Sequence, residues 1–311
     1  MTASQQTRSD VGRRRPEKFT SYYGRPVIKE PTWTPEIPIY FFTGGLAGAS
    51  AGLAFAARLT GRRKLARAAT GNAFVAIAVS PPLLISDLGV PTRFLNMLRV
   101  FKVTSPMSVG SWILTAEGGL IGVSAAHEFL GLFPKPFARL AGALAALLGM
   151  PLATYTAALI GNTSVPVWHE GRLELPFAFA GGSAMAAGGA AALLAPSQAG
   201  PARRLAIIGA VTEAVTMEVS KKKMGKLVAE PYKTGAAGKL EKATMACAGL
   251  GAATLVAAEA RDSRGLGRVG SLLAVAGSML GRWLVFKAGF QSAAAPQYTV
   301  GPQRERLERG E

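Results

Sequence analysis

The 311-residue sequence is poor in the side chains that most often hold metals and redox cofactors. It contains one cysteine, Cys247, and two histidines, His127 and His169. A single cysteine excludes an intrachain disulfide, a cysteine-ligated iron–sulfur cluster and a zinc site built on cysteine pairs. Cys247 lies in an apolar run and is expected to be a small packed residue. We therefore expect no metal site and no iron–sulfur cluster within this chain.

Charged residues are also scarce, at 17% of the sequence, whereas 49% of residues are hydrophobic and 37 are Gly. This composition is too apolar for an ordinary soluble domain and indicates a membrane protein. The formal net charge of +17 raises the question of nucleic-acid binding. However, the basic residues form short clusters beside apolar runs, as at 13–15, 62–64 and 221–223. Such clusters are topology signals and contacts to membrane lipids, so nucleic-acid binding is not expected.

Apolar stretches recur along the chain at about the 20-residue length that a helix needs to cross a bilayer. Eight of them lie at approximately 38–58, 67–87, 108–130, 137–161, 174–195, 203–219, 241–260 and 268–287. The sixth is short, and the second contains Pro81 and Pro82, which predict a kink. The sequence therefore predicts an all-α, polytopic membrane helix bundle of about eight transmembrane helices.

The polar segments outside these spans divide the chain into three parts. Residues 1–36 are expected to form an arm on the membrane surface, 37–288 the membrane domain, and 289–311 a polar tail. An even number of spans puts both termini on one side, which we name side A; the opposite side is side B. Side A carries the long connectors, which bear function more often than short ones. The positive-inside rule favours a cytoplasmic side A in the cell membrane.

The connector between the second and third spans is long and rich in large apolar residues. In DLGVPTRFLNMLRVFKVTSPMSVGSWIL (87–114), polar residues recur every third position, at Arg93, Asn96, Arg99 and Lys102. On a helix this spacing gives a narrow polar stripe and a wide apolar face, as in an interfacial amphipathic helix. Such a helix either lies on the lipid surface or forms a platform that roofs the bundle and faces a partner.

This stretch resembles the signature of the NrfD family, the membrane subunits of polysulfide-reductase-type oxidoreductases. YFFTGGLAG in the first span, YTAALIGNTSVPVW from Tyr155 to Trp168, and LPFAFAGGSAMAAG after it are also similar. The resemblance extends from about Tyr22 to Ala288. It implies an eight-span, quinone-interacting subunit of a respiratory complex. It also implies two partners: a four-cluster iron–sulfur subunit and, beyond it, a molybdopterin catalytic subunit with molybdenum or tungsten. Formate dehydrogenase is a frequent catalytic partner of such modules, and we expect one of that kind here.

The resemblance also implies quinone-binding residues, with menaquinone or ubiquinone as the transient ligand. Tyr155 resembles a family tyrosine that hydrogen-bonds the quinone, although an aromatic interface anchor is an equal alternative. Tyr40 opens the first span, where the family places polar quinone ligands; some members have Asn and His there, whereas this sequence has Pro38 and Tyr40. Asp87 and Arg93 are predicted at the lip of the pocket. Asp87 could instead cap the interfacial helix.

Quinone chemistry also needs protons, and ionisable groups inside spans are functional candidates by default. Glu117 in the third span and Glu213 in the sixth are the predicted proton-transfer residues. Arg282 in the eighth span is expected to pair with Glu213, and such a pair could equally be a structural lock. His127 and His169 are predicted at opposite faces of the membrane, so a haem held by both is not expected.

Partner docking is predicted on the connector, at Phe94, Met97, Arg99 and Lys102. Two other functions remain open. A passive anchor would bind the partners but no quinone. A proton or small-solute transporter would suit polar residues inside spans, although no internal repeat is evident in the sequence.

Overall fold

The computed structural model describes residues 27–308 and Gly310, and within these residues it is helical with no strand. In chain order the α-helices are α1 (Glu36–Leu59), α2 (Arg63–Ser86), α3 (Pro106–Leu130), α4 (Lys135–Gly161), α5 (Pro166–Glu170), α6 (Leu175–Leu194), α7 (Gly200–Val228), α8 (Glu230–Lys233), α9 (Gly235–Ala260), α10 (Arg264–Ala294) and α11 (Gln297–Glu308). Two 3₁₀ helices join them, at Pro91–Leu98 and Pro196–Gln198. The predicted all-α bundle is confirmed.

Within residues 27–308, seven helices are long and apolar enough to cross a membrane: α1, α2, α3, α4, α6, α9 and α10. The sixth predicted span, 203–219, lies in α7, which has 29 residues but does not meet this criterion. The physical reason is charge, since Arg203 and Arg204 lie near its start and Lys221 to Lys223 near its end. The chain is therefore a multi-pass membrane protein; its described residues contain seven apolar spans, and α7 is a further, more polar long helix of the bundle.

The eight long helices pack as two groups of four. The first helix group comprises α1 to α4, and the second helix group comprises α6, α7, α9 and α10. Glycines allow close helix approach in both groups. A Cβ atom on Gly48 of α1 would lie 2.2 Å from the carbonyl oxygen of Gly149 in α4. In the second group, a Cβ atom on Gly209 of α7 would lie 2.5 Å from the carbonyl oxygen of Gly181 in α6.

The segment before α1 packs on the side A face against α5, which in turn packs against α10 of the second helix group. The rings of Trp33 and Trp168 stack with their centroids 5.3 Å apart, and Trp168 is fully buried in α5. The indole nitrogen of Trp168 donates a hydrogen bond of 2.8 Å to the carbonyl of Val285, and its ring lies 6.3 Å from that of Phe290. The beginning of α1 and the end of α10 therefore lie on the same side of the bundle.

Part of the predicted surface arm cannot be compared with the structure. Residues 1–26, which include Tyr22 and Tyr23, lie outside the described residues. The relation of side A to the cytoplasm stays a prediction from the positive-inside rule.

The connector between α2 and α3 forms a 3₁₀ helix, and the helix ends at Leu98 before the predicted polar stripe is complete. A 3₁₀ helix has three residues per turn, so side chains at every third position share a face on it as well. The spacing that indicated an amphipathic helix therefore suits this tighter form. None of its eight residues is buried, and Leu95 is 68% exposed.

Candidate functional site

The structure brings together the two tyrosines that were predicted to bind quinone. The ring centroids of Tyr40 in α1 and Tyr155 in α4 lie 6.5 Å apart in an edge-to-face arrangement. Tyr40 is 1% exposed, and its hydroxyl has no hydrogen-bond partner within the described part of the chain. Tyr155 lies against Gly110 of α3, where an added Cβ atom would come within 2.0 Å of the ring. Gly110 thus provides the space that the Tyr155 ring fills near side A.

Glu117 lies on the same face of α3 as Gly110, seven residues further toward side B. This face is formed by buried residues three or four positions apart, namely Gly110, Leu114, Glu117 and Ile121. Seven residues of helix correspond to about 10 Å. Glu117 is fully buried, and neither carboxyl oxygen has a hydrogen-bond partner among the described residues. Buried polar groups normally have a partner, so this carboxyl group needs a functional explanation.

Asp87 ties the segment before α1 to the end of α2. Its carboxylate accepts hydrogen bonds from the backbone N–H of Thr34 at 2.9 Å and from the Thr34 hydroxyl at 2.7 Å. It does not cap the 3₁₀ helix, because that helix begins after Val90 and has no side-chain cap. Arg93 lies exposed on the 3₁₀ helix. A role of either residue at a quinone pocket stays a prediction.

Arg282 is buried where the second helix group meets α1. It is 1% exposed and donates hydrogen bonds to the carbonyl of Phe179 at 2.6 Å and to the hydroxyl of Ser183 at 3.0 Å. Its guanidinium lies 4.0 Å from the centroid of the Phe179 ring. A Cβ atom on Gly45 of α1 would lie 3.7 Å from the guanidinium. These contacts lock α6, α10 and α1 together.

Glu213 lies in the same buried layer but does not form the predicted ion pair with Arg282. Its carboxyl group fits between Gly182 and Gly281, where added Cβ atoms would lie 2.8 and 2.6 Å from Oε1. The five salt bridges between described residues do not include Glu213 and Arg282. Glu213 Oε2 is buried without a hydrogen-bond partner among those residues. Glu213 and Arg282 are therefore neighbours, but each side chain is held by contacts to other residues.

Glu213 also lines a narrow cleft of about 70 Å³ between α6, α7, α9 and α10. The walls are mostly apolar, with Met217, Met245, Leu284 and Val285 among them. Sequence reasoning missed three polar residues of this cleft: Lys221, Glu241 and Thr244. Lys221 donates hydrogen bonds to Glu218 and Glu241, although 20 positions separate Lys221 from Glu241. No spacing in the sequence indicates that contact.

The four predicted docking residues divide between the bundle and its surroundings. Phe94 and Met97 are half-buried, and the sulfur of Met97 accepts a hydrogen bond of 3.7 Å from Ser111 in α3. Arg99 and Lys102 follow the 3₁₀ helix and are exposed. The apolar pair therefore braces the connector on the bundle, and the basic pair is free to meet a partner.

The two histidines lie on opposite faces of the helix bundle, as their positions in the sequence predict. His127 is near the side B end of α3 and contacts the carbonyl of Phe133 at 3.0 Å through Nδ1, whereas His169 is in α5 on side A. Residues 27–308 contain no cluster of three or more His, Cys, Asp or Glu side chains that could hold a metal ion.

Comparison with known proteins gives one family match. The family model described as "Polysulphide reductase, NrfD" matches residues 28–203, which is more than half of the chain. No curated protein matches the chain. The matched residues include Tyr40, Asp87, Arg93, Glu117 and Tyr155. Glu213 and Arg282 lie beyond them.

Proposed function

Because this chain belongs to the NrfD family, a family of membrane subunits of oxidoreductase complexes, we propose that it exchanges electrons and protons with the membrane quinone pool. In this proposal the chain anchors an iron–sulfur subunit and, through it, a molybdopterin catalytic subunit of a formate-dehydrogenase-like kind. The observation that carries the proposal is the Tyr40–Tyr155 ring pair together with Glu117 in the same helix group, which is buried without a hydrogen-bond partner among the described residues.

The chemistry assigns a different task to each of these groups. Reduction of a quinone to a quinol takes up two electrons and two protons, and the electrons come from the iron–sulfur subunit. The Tyr155 hydroxyl would donate a hydrogen bond to a ring oxygen and fix the ring near side A. The buried Tyr40 hydroxyl offers a second donor. The Glu117 carboxyl group would hold a proton at the end of a relay to the ring, a role suited to a carboxyl group without another partner.

The exposed basic residues of the connector suit the docking of the iron–sulfur subunit. Phe94 and Met97 hold the connector against α3, so Arg99 and Lys102 are presented from a braced segment. Two exposed cations complement an acidic patch on a partner and speed association more than they add affinity. We assign docking to this surface of side A.

Glu213 and Arg282 would support proton movement in the second helix group. The Glu213 carboxyl group lines the cleft whose rim carries Lys221, hydrogen-bonded to Glu218 and Glu241. This arrangement places ionisable groups from the buried layer to the side A end of α7. Arg282, fixed by Phe179 and Ser183, provides a nearby positive charge.

Purification from native membranes in mild detergent tests this proposal. Mass spectrometry of the co-purifying proteins and extracted lipids should find an iron–sulfur protein, a molybdopterin subunit and a retained quinone. Partners without quinone, together with no quinone-dependent turnover, would favour the passive anchor. Isolation of the chain alone under several mild conditions, with solute flux in liposomes, would favour the transporter.

A further inference from the structure

We propose that the side B end of the first helix group binds the phosphate head group of an anionic phospholipid. A cavity of about 700 Å³ opens there between the ends of α1 and α3 and the beginnings of α2 and α4. We name it the side B basic cavity. Its lining comprises Phe55, Arg58, Leu59, Gly61, Arg63, Ala66, Ser124, His127, Glu128, Lys135, Ala138 and Arg139. This proposal is independent of the quinone site.

The charge of the lining is strongly one-sided. Four basic side chains and a single carboxylate, Glu128, surround the cavity, and that carboxylate already pairs with Arg58 at 3.5 Å. The described residues provide no acidic partner within salt-bridge distance for Arg63, Lys135 or Arg139. Three cations therefore converge on one cavity without a matching negative charge from that part of the chain.

Helix stability does not explain these cations. Arg63 begins α2, and Lys135 and Arg139 lie in the first turns of α4. The amino-terminal end of a helix carries partial positive charge, which favours acidic residues and disfavours basic ones. Neither helix has an acidic residue in its first turn. An anion bound in the cavity would offset both the side-chain charges and the helix dipoles.

The floor of the cavity is rigid because Arg58 is held by three other helices. Its guanidinium donates a hydrogen bond of 2.8 Å to Thr70 of α2 and pairs with Glu128 of α3. It also lies against α4, where a Cβ atom on Gly142 would be 2.6 Å from Nη1. A fixed floor with exposed cations around it suits a compact, multiply charged anion such as a phosphate group.

The phosphate could come from a lipid or from solution, and the apolar part of the lining favours the lipid. Phe55 and Leu59 of α1 belong to the cavity, and Leu59 is 72% exposed. An acyl chain would cover these side chains while the head group lies among the cations. Basic pockets between transmembrane helices on the cytoplasmic or matrix side bind anionic head groups, and the same charge attraction would act on side B.

The test compares two matched double variants of the full-length protein purified from its membranes. Lys135→Gln with Arg139→Gln removes two cations of the cavity. Arg264→Gln with Arg268→Gln removes two exposed side B cations from the first turns of α10, which do not line the cavity. Thermal unfolding in detergent is followed during titration with phosphatidylglycerol, with phosphatidylcholine, and with inorganic phosphate.

We expect phosphatidylglycerol to raise the Tm of the wild-type protein and of the α10 variant more than phosphatidylcholine does. The cavity variant should need about 30-fold more phosphatidylglycerol for the same rise in Tm, because each of the two lost basic residues contributes roughly 1 kcal/mol to binding. Native mass spectrometry should find a retained anionic lipid on the first two proteins and not on the third. The charge-keeping variant Lys135→Arg with Arg139→Lys should behave as the wild type, which separates lost charge from faulty insertion.

Three outcomes would overturn the proposal. If phosphatidylcholine raises the Tm as much as phosphatidylglycerol does, the protein does not discriminate between lipids by charge. If the α10 variant weakens phosphatidylglycerol binding as much as the cavity variant does, the side B cations act only as general surface charge. Equal stabilisation by inorganic phosphate alone would assign the cavity to a free anion instead of a lipid.

Discussion

At the residue scale, two of the polar groups buried in the first helix group bear on the candidate site, and neither has a hydrogen-bond partner among the described residues. The Tyr40 hydroxyl and the Glu117 carboxyl lie in the match to the NrfD family and in the same half of the bundle. A buried polar atom without a partner costs about 1–3 kcal/mol. A fold that keeps such atoms gives up stability at those positions, as functional sites commonly do.

Tyr155→Phe should lower quinone-linked electron transfer by tenfold or more, because the ring would stay against Gly110 while the hydrogen bond to the quinone is lost. The rate of the purified complex with a soluble quinone analogue is the measurement. Tyr232→Phe is the control, because it removes a tyrosine hydroxyl outside the first helix group; Tyr232 is fully buried, and its hydroxyl has no partner in the described part. Full activity of the Tyr155 variant would move the site elsewhere.

Glu117→Met should stabilise the protein and disable it. Methionine has nearly the shape of glutamate, so the change removes a buried unpartnered carboxyl group with little change in packing. Thermal unfolding should show a gain of about 1–2 kcal/mol. Quinone-linked turnover should fall about 100-fold or more, as expected for loss of a proton-transfer group. A stable variant with unchanged turnover would exclude the proton role of Glu117.

At the scale of elements, sequence reasoning located both ends of the first five spans to within four residues, because each is an apolar run of bilayer length between polar connectors. It placed the start of α9 six residues late and the end of α10 seven residues early. It overestimated the apolarity of α7, whose predicted end at 219 lies nine residues before Val228. It also predicted an amphipathic helix through Lys102, because a three-residue recurrence does not distinguish a surface α-helix from a 3₁₀ helix. The hydrogen bonds from Thr34 to the Asp87 carboxylate join residues 53 positions apart, and no pattern in the sequence indicates them.

The crossing of α1 and α4 depends on Gly48, and this makes a matched pair of glycine variants informative. Gly48→Ala should lower stability by about 1–3 kcal/mol, because its Cβ atom would lie 2.2 Å from the Gly149 carbonyl oxygen. Gly52→Ala, one turn further along α1, meets nothing within 4 Å and should be neutral or slightly stabilising. Thermal unfolding of both variants measures the difference. Equal effects would mean that the helices do not cross at Gly48.

At the scale of the whole molecule, the family match covers all of the first helix group and only part of the second. Residues 28–203 contain the first helix group, α5 and α6, whereas the cleft beside Glu213 is built largely from α7, α9 and α10. Sequence reasoning assigned candidate residues to both groups. It could not find the cleft or the side B basic cavity, because each is lined by side chains from four helices that are distant in the sequence.

Arg99→Glu with Lys102→Glu should reduce co-purification of the iron–sulfur subunit, because two exposed cations on the side A connector would become repulsive to an acidic partner. Lys239→Glu with Lys242→Glu is the control, since both lysines are also exposed near side A but belong to α9. The measurement is the ratio of the iron–sulfur subunit to this chain after purification at raised ionic strength. For the connector variant this ratio should be several-fold lower than for the wild-type protein. Equal retention by both variants would place docking away from the connector.

The stacking of Trp33 on Trp168 has a consequence for biogenesis. Trp168 is itself fixed by Val285 and Phe290 of the last long helix, so the docking place of the first described segment is complete only after α10 has been inserted. The Trp33 segment precedes α10 in the chain and therefore docks only after α10 has left the ribosome. Protection of the Trp33 segment from protease would therefore mark the end of membrane insertion. In a chain truncated before α10, that segment would stay undocked and exposed to the proteases of cellular quality control.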